Sequence, residues 1–130
     1  MLAHVGVNVR DLSRAKAYYD RLMPLLNFEP YVSAEDQCAY RPADGQTGTT
    51  IFFYPAREVA GYSRHQPGLQ HLAFHVSSRE AVHAVYAKVQ ELGSEIIHAP
   101  QEFLQYRPGY YALFWQDPEG FMVEAVYRPA

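Results

Sequence analysis

Apolar and polar residues alternate from His4 to Val9, with Val5, Val7 and Val9 on one side and His4, Gly6 and Asn8 on the other. A period of two is the mark of a strand with one buried face. The pattern returns in His71-Leu-Ala-Phe-His-Val76, at an offset of 71 − 4 = 67 residues, about half of the 130. There Leu72, Phe74 and Val76 form the apolar face, opposite His71, Ala73 and His75. A polar cap follows each strand: Asp11 in the first case, Ser77 and Ser78 in the second. Behind each cap runs an apolar stripe at helical spacing. The stripes are Leu12, Ala15, Tyr19, Leu22, Leu26 and Val82, Val85, Tyr86, Val89, Leu92. The chain therefore reads as two copies of one unit, each opening on a histidine.

The pattern between these anchors fills in the rest. The first helix is expected from a cap at Asp11 to about Leu26, with Asn27 as a left-handed stop. Pro24 inside its last turns should kink or loosen it. Phe28–Ser33 and Gln37–Arg41 read as short strands, Asp44-Gly45 and Gly48 as turns, and Thr49–Pro55 as a fourth strand. Residues 57–68 are a linker without low complexity, expected to pack rather than dangle. In the second copy, Ser77-Ser-Arg-Glu80 has the spacing of a capping box, and Gly93 is the preferred helix stop. A short strand near Glu95–His98 precedes a loop through Pro100 and Pro108. Tyr110–Gln116 and Phe121–Tyr127 form a hairpin around the turn Asp117-Pro-Glu-Gly120. Each half is strand, helix, then three strands. The fold class is α+β: two βαβββ modules, about 1–56 and about 69–130, in a single domain of residues 1–130. Two mixed sheets would carry helices on their outer faces and cup a cavity between their helix-free faces.

Composition narrows the function. Apolar residues make up 48% of the chain, which is enough for a core. The net charge of −3 leaves no basic face for phosphates, so nucleic acid is not an expected partner. No apolar run approaches the ~20 residues of a membrane helix. A strand pattern starting at Ala3 and broken by Arg10 and Asp11 is no secretory leader. The single Cys38 allows no internal disulfide, and a cytoplasmic location is expected. Aromatic residues reach 15%, chiefly 11 Tyr, which suits a pocket for an organic molecule as well as it suits a core.

The repeat also carries the candidate chemistry. By symmetry His4 and His71 are expected to face each other across a pseudo-twofold axis. Glu124 stands in the otherwise apolar Phe-Met-Val-Glu-Ala-Val-Tyr127 strand, where a carboxylate is costly unless paired or bound to a metal. Two His and one carboxylate with open positions suit one divalent ion, Fe, Mn, Ni, Co or Zn. A lone His on a sheet face is ordinarily just a polar residue, and a lone Glu in a last strand is ordinarily exposed. Two histidines at equivalent places with a Glu in the closing strand weigh against accident. His75, His83 and His98 lack that support. His83 is expected in solvent and His75 behind His71.

At these residues the sequence resembles the vicinal oxygen chelate superfamily, also called the glyoxalase, bleomycin-resistance and dioxygenase superfamily. The resemblance covers nearly the whole chain. Its marks are His4-Val-Gly-Val-Asn-Val-Arg-Asp-Leu12 with Tyr18-Tyr19, then Gly68-Leu-Gln-His71, and Asp117-Pro-Glu-Gly-Phe-Met-Val-Glu124, the most specific. It implies a pair of βαβββ modules, metal ligands at His4, His71 and Glu124, and a homodimer. One departure stands out. Glyoxalase I enzymes carry a further ligand in the closing strand of the first module, and that position falls here near Phe53, which cannot ligate. Glu58 lies beyond Pro55.

The function implied is a metal-dependent enzyme, lyase- or isomerase-like, acting on a small molecule whose two neighbouring oxygens the metal chelates. Glyoxalase I itself is not expected. One alternative is an extradiol-type dioxygenase, although typical members are longer chains. Another is a non-catalytic small-molecule binding protein of the bleomycin-resistance kind. Tyr106, Tyr110 and Tyr111 are candidates to donate a hydrogen bond in the pocket. Phe53, Arg107 and Tyr111 are candidate substrate contacts, with Arg107 available to a substrate carboxylate. Ordinary packing and a solvated Arg are the plainer readings of these five side chains.

Overall fold

A computed structural model of the chain describes residues 1–129, so the last residue of the expected second module, Ala130, lies outside the described residues. The residues fall into two compact units, Met1–Gly61 and a second from Tyr62 onward. The break lies within the expected linker 57–68.

In the first unit, β1 (His4–Val9) leads into α1 (Leu12–Leu22), followed by β2 (Phe28–Ser33), β3 (Cys38–Pro42) and β4 (Thr50–Pro55). The sheet order is β1-β4-β3-β2, with β1 parallel to β4 and the remaining pairs antiparallel. Asp11 caps α1 by accepting the Arg14 N–H at 3.0 Å. The α-helix stops at Leu22, four residues short of the expected end, and Met23–Leu26 continues as a 3₁₀ turn with Pro24 at its start. Proline has no N–H for the i→i−4 ladder, so the tighter turn replaces it. Asn27 ends the segment in the left-handed region at φ 61°. The apolar side of α1, Ala15, Tyr18, Tyr19 and Leu22, is buried along with Val7, Val9, Ile51 and Phe53 of the sheet. Phe53 stacks on Tyr19 at 4.9 Å between ring centroids.

The second unit repeats the plan. β5 (Leu72–His75) is followed by α2 (Arg79–Glu91), β6 (Ile96–Glu102), β7 (Tyr111–Gln116) and β8 (Met122–Tyr127). The order is β5-β8-β7-β6, with β5 parallel to β8. The cap of α2 is Ser78, which accepts from the Ala81 N–H at 3.0 Å. The spacing from Ser77 to Glu80 therefore marks the helix start one residue early. Gly93 follows the helix at φ +79°, a conformation only glycine adopts freely. β6 runs four residues further than expected, straight through Pro100. It can do so because it is an edge strand, with register shifts on both sides of His98 that accommodate the missing N–H. Gly120 N–H closes the hairpin turn on the Asp117 carbonyl at 3.0 Å. The Asp117 carboxylate accepts from the N–H groups of Glu119 and Phe121, both at 2.9 Å. Within the expected linker, Tyr62 packs edge-on against Phe121 at 4.7 Å and donates to the Leu69 carbonyl at 2.6 Å.

Alternation assigns the faces of this second sheet. Leu113, Trp115, Val123 and Ala125 are fully buried, as are Val82, Val85 and Val89 of α2. The opposite face carries the apolar cluster Phe103, Ala112, Phe114, Met122 and Val126, with Ile97 and Tyr110 packed against it. Glu124 lies on that face, in register with Ala73 on one side and Phe114 on the other.

Two four-stranded mixed sheets and two helices thus make an α+β fold of two βαβββ modules.

Candidate functional site

Glu124 is 2% exposed, yet its neighbours on the sheet face are apolar. An ionised carboxylate in such surroundings needs partners at both oxygens. It has them. Oε1 lies 3.2 Å from Nε2 of His71. Oε2 accepts a hydrogen bond from the hydroxyl of Tyr110. The parallel pairing explains the first contact: Ala73 is the register partner of Glu124, and His71 stands two residues before it, on the same face. The hairpin explains the second: Tyr110 enters β7, the antiparallel neighbour of β8.

The other ring nitrogen of His71, Nδ1, is hydrogen-bonded to the side-chain oxygen of Gln70. Nε2 is turned toward Glu124. The pair brings one nitrogen and one oxygen donor side by side. Among the described residues no group of three His, Cys, Asp or Glu stands ready to hold a metal. The second unit supplies two donors, His71 and Glu124.

Tyr110 is part-buried, and its hydroxyl is held protonated well above the ordinary tyrosine range. Burial is the chief cause, and the hydrogen bond to Glu124 adds to it. Tyr106, 59% exposed, stacks on Phe103 at 5.7 Å and meets Tyr110 edge-on at 5.1 Å. Phe114 brings its ring to 6.2 Å from that of His71. His98, left aside on sequence grounds, meets Phe114 and Phe103 edge-on at 5.6 and 5.8 Å. His98 is the register partner of Phe114 across the β6–β7 pair, a pairing set by register shifts on both sides of His98 that no spacing in the sequence signals.

Three expected contacts lie elsewhere. Tyr111 does not join Tyr110: the next residue in a strand points to the other face. Its hydroxyl is 2.7 Å from Nε2 of His83, and Arg79 lies 4.5 Å over its ring, both on α2. His83 thus has a partner in Tyr111. Arg107 is exposed and donates to the Pro129 carbonyl at 3.3 Å. Phe53 is fully buried under α1 against Tyr19, so it walls no pocket. The residue beside His4 on the helix-free face is Phe52, edge-on at 5.3 Å. His4 itself is exposed at the start of β1. His75 is exposed, 3.3 Å from the guanidinium of Arg128.

The first unit has a cleft of about 720 Å³ lined by Asn8, Asp36, Tyr54, Pro55, Arg57 and Glu58. Glu58 belongs to this cleft at the far end of β4.

Known proteins share this fold and part of its sequence. A protein of Bacillus subtilis, the uncharacterized YqjT, is 24% identical over 126 residues, 95% of each chain. The crystal structure of a candidate glyoxalase from Bacillus halodurans is 33% identical, with a TM-score of 0.84 over 98% of this chain and 95% of that one. A glyoxalase/bleomycin resistance protein from Albidiferax ferrireducens is 27% identical, with a TM-score of 0.78 over 99% of both. The family model that matches spans residues 1–125, from before His4 to just past Glu124. With His71, Glu124 and the paired modules inside that span, the chain belongs to the Glyoxalase/Bleomycin resistance protein/Dioxygenase superfamily.

Proposed function

We propose that the protein is a divalent-metal-dependent enzyme of this superfamily, lyase- or isomerase-like, acting on a small organic molecule. One observation carries the reading: a buried carboxylate oxygen of Glu124 faces Nε2 of His71, whose other nitrogen is already committed to Gln70. Removing a carboxylate from water is costly unless it is paired, hydrogen-bonded or coordinates a metal. His71 and Glu124 would each give one ligand, and His4, the repeat counterpart of His71, would give a third. When bound, the metal (Fe, Mn, Ni, Co or Zn) supplies a Lewis acid that polarises two neighbouring oxygens of the substrate. The chain does the rest. Phe103, Phe114 and Met122 keep water from Glu124, and Tyr110 holds the carboxylate still. A homodimer and a cytoplasmic location complete the reading. Among the described residues no helix is long and apolar enough to cross a membrane.

The test is metal analysis of protein purified without a histidine tag. About one divalent ion per chain is expected, with most of it lost in His71→Ala. Stoichiometric metal in a variant with His4, His71 and Glu124 all replaced by Ala would overturn the assignment. A second reading is an extradiol-type dioxygenase, since the ligand set has no fourth protein donor. Oxygen-dependent cleavage of a catechol by the metal-loaded protein would select it. A third is a non-catalytic binding protein, which silence toward every substrate despite ligand binding would favour.

A further inference from the structure

The two oxygens of a glutamate carboxylate are equivalent and its terminal torsion is broad and roughly two-fold, so nothing in Glu124 itself fixes how the carboxylate plane is turned beside His71. The decision comes from Tyr110. Its hydroxyl donates to Oε2, leaving Oε1 on the His71 side at 3.2 Å from Nε2. The phenol cannot readily follow a rotating carboxylate, because it is fixed from several directions. Its ring meets Tyr106 edge-on at 5.1 Å and Phe103 at 6.5 Å. Its backbone carbonyl accepts from Phe103 N–H at 2.7 Å, and its N–H donates to Arg107 at 3.2 Å. The residue before it, Gly109, sits at φ +80°, where a Cβ would also meet Pro129 at 2.9 Å. The loop thus delivers Tyr110 in one pose. Gln70 does for the imidazole what Tyr110 does for the carboxylate, committing Nδ1 and leaving Nε2 toward Glu124.

We propose that Tyr110 is a positioning residue: its hydroxyl holds Oε2 of Glu124, so that Oε1 alone is presented beside His71 Nε2 as a one-oxygen ligand. The proposal rests on the reading of His71 and Glu124 as ligands for its consequence, and on the hydrogen bond alone for its geometry. Outer partners of metal ligands ordinarily change affinity by about 10–100-fold when removed.

The experiment compares wild type, Tyr110→Phe and Tyr111→Phe. The last is the control, since its hydroxyl lies on the α2 side with His83. The imidazole ¹⁵N resonances of His71 are recorded on metal-free protein. Cobalt(II) is then titrated and its visible absorption recorded. In Tyr110→Phe, freed rotation of Glu124 should move the His71 nitrogens. Cobalt affinity should fall by about 10–100-fold, with an altered spectrum as the carboxylate turns to two-oxygen binding. Tyr111→Phe should match wild type in all three readouts. His71 nitrogens and a cobalt spectrum unchanged in Tyr110→Phe would overturn the proposal, and so would equal shifts in both variants. If wild type refuses cobalt while the His71 nitrogens still move in Tyr110→Phe alone, the metal reading falls and the positioning role stands.

Discussion

Phe52 holds in the first sheet the place that Glu124 holds in the second. Phe52 is the parallel partner of Gly6, and Glu124 is the parallel partner of Ala73. Gly6 and Ala73 are 73 − 6 = 67 residues apart, the same offset that relates His4 to His71. The repeat is therefore faithful in backbone and in histidine, and broken at one side chain. Where the second module offers a carboxylate, the first offers a ring that meets His4 edge-on and stacks on Tyr54 at 6.0 Å.

The neighbouring residues Phe52 and Phe53 should behave oppositely on truncation. Phe53 is fully buried and stacked on Tyr19, so Phe53→Ala should cost about 3–5 kcal/mol. Phe52 is only partly buried, and Phe52→Ala should cost about 1 kcal/mol. Urea unfolding followed by circular dichroism separates them. A larger loss at Phe52 would mean that the register of β4 is off by one residue.

Glu124 should cost the metal-free protein stability. Glu124→Gln keeps an oxygen for the Tyr110 hydroxyl and removes a buried charge. The carboxylate is buried among apolar side chains and its contact with His71 is long, at 3.2 Å, so the neutral isostere is expected to be neutral or stabilising by about 1 kcal/mol. Glu124→Ala leaves the Tyr110 hydroxyl without its acceptor and opens a void, and should destabilise by about 1–3 kcal/mol. Chelator-treated samples compared by thermal melting give both numbers. A Gln variant that melts well below wild type would show the charge itself to be structural.

The architecture was legible because it is written twice. Alternation around Val5–Val9 and Leu72–Val76, the stripes of α1 and α2, and the turn at Asp117–Gly120 each have one local cause. The site was legible only where the repeat pointed. Spacing does not reveal that Tyr110 rather than Tyr111 reaches Glu124, because strand parity at the mouth of a loop depends on where β7 begins. The family resemblance places the first-module counterpart near Phe53, one residue from the register partner Phe52. The bulge in β6 that brings His98 opposite Phe114 has no counterpart in any motif.

Tyr40 gives the fold an alkaline limit. Its hydroxyl is buried and donates to Asp20 at 2.8 Å, so burial first and the carboxylate second hold its proton well above the ordinary value of 10.0. Unfolded chains release that proton near 10, so above that pH the unfolded state binds fewer protons and stability falls as pH rises. The full slope for one proton is about 1.4 kcal/mol per pH unit. Tyr40→Phe should be less stable than wild type at neutral pH by about 1 kcal/mol, from the lost hydrogen bond. The gap should close and then reverse as pH climbs through and beyond 10. Parallel unfolding curves for the two proteins from pH 9 to 11.5 would contradict the assignment.

The glutathione adduct of methylglyoxal should be a poor substrate or none. In the glyoxalase I enzymes of the superfamily that the sequence resembles, a side chain in the closing strand of the first module is a further ligand and helps move the proton. In this chain the register position that matches Glu124 is Phe52, and the next residue, Phe53, is sealed under α1. Neither can ligate or accept a proton. Glu58 lines the separate cleft beyond the end of β4 with Asn8, Asp36 and Arg57. Loss of general acid–base help alone is worth roughly 10²–10⁴-fold in rate, enough to be plain in a spectrophotometric assay. Phe52→Glu supplies the missing group at a half-buried position, where a carboxylate can keep water at one oxygen. It should raise adduct turnover above the wild-type background in the same assay. The wild-type result is the decisive one: robust turnover of the adduct by metal-loaded protein, with Phe52 in place, would restore glyoxalase I and show that its proton is moved from a different side chain.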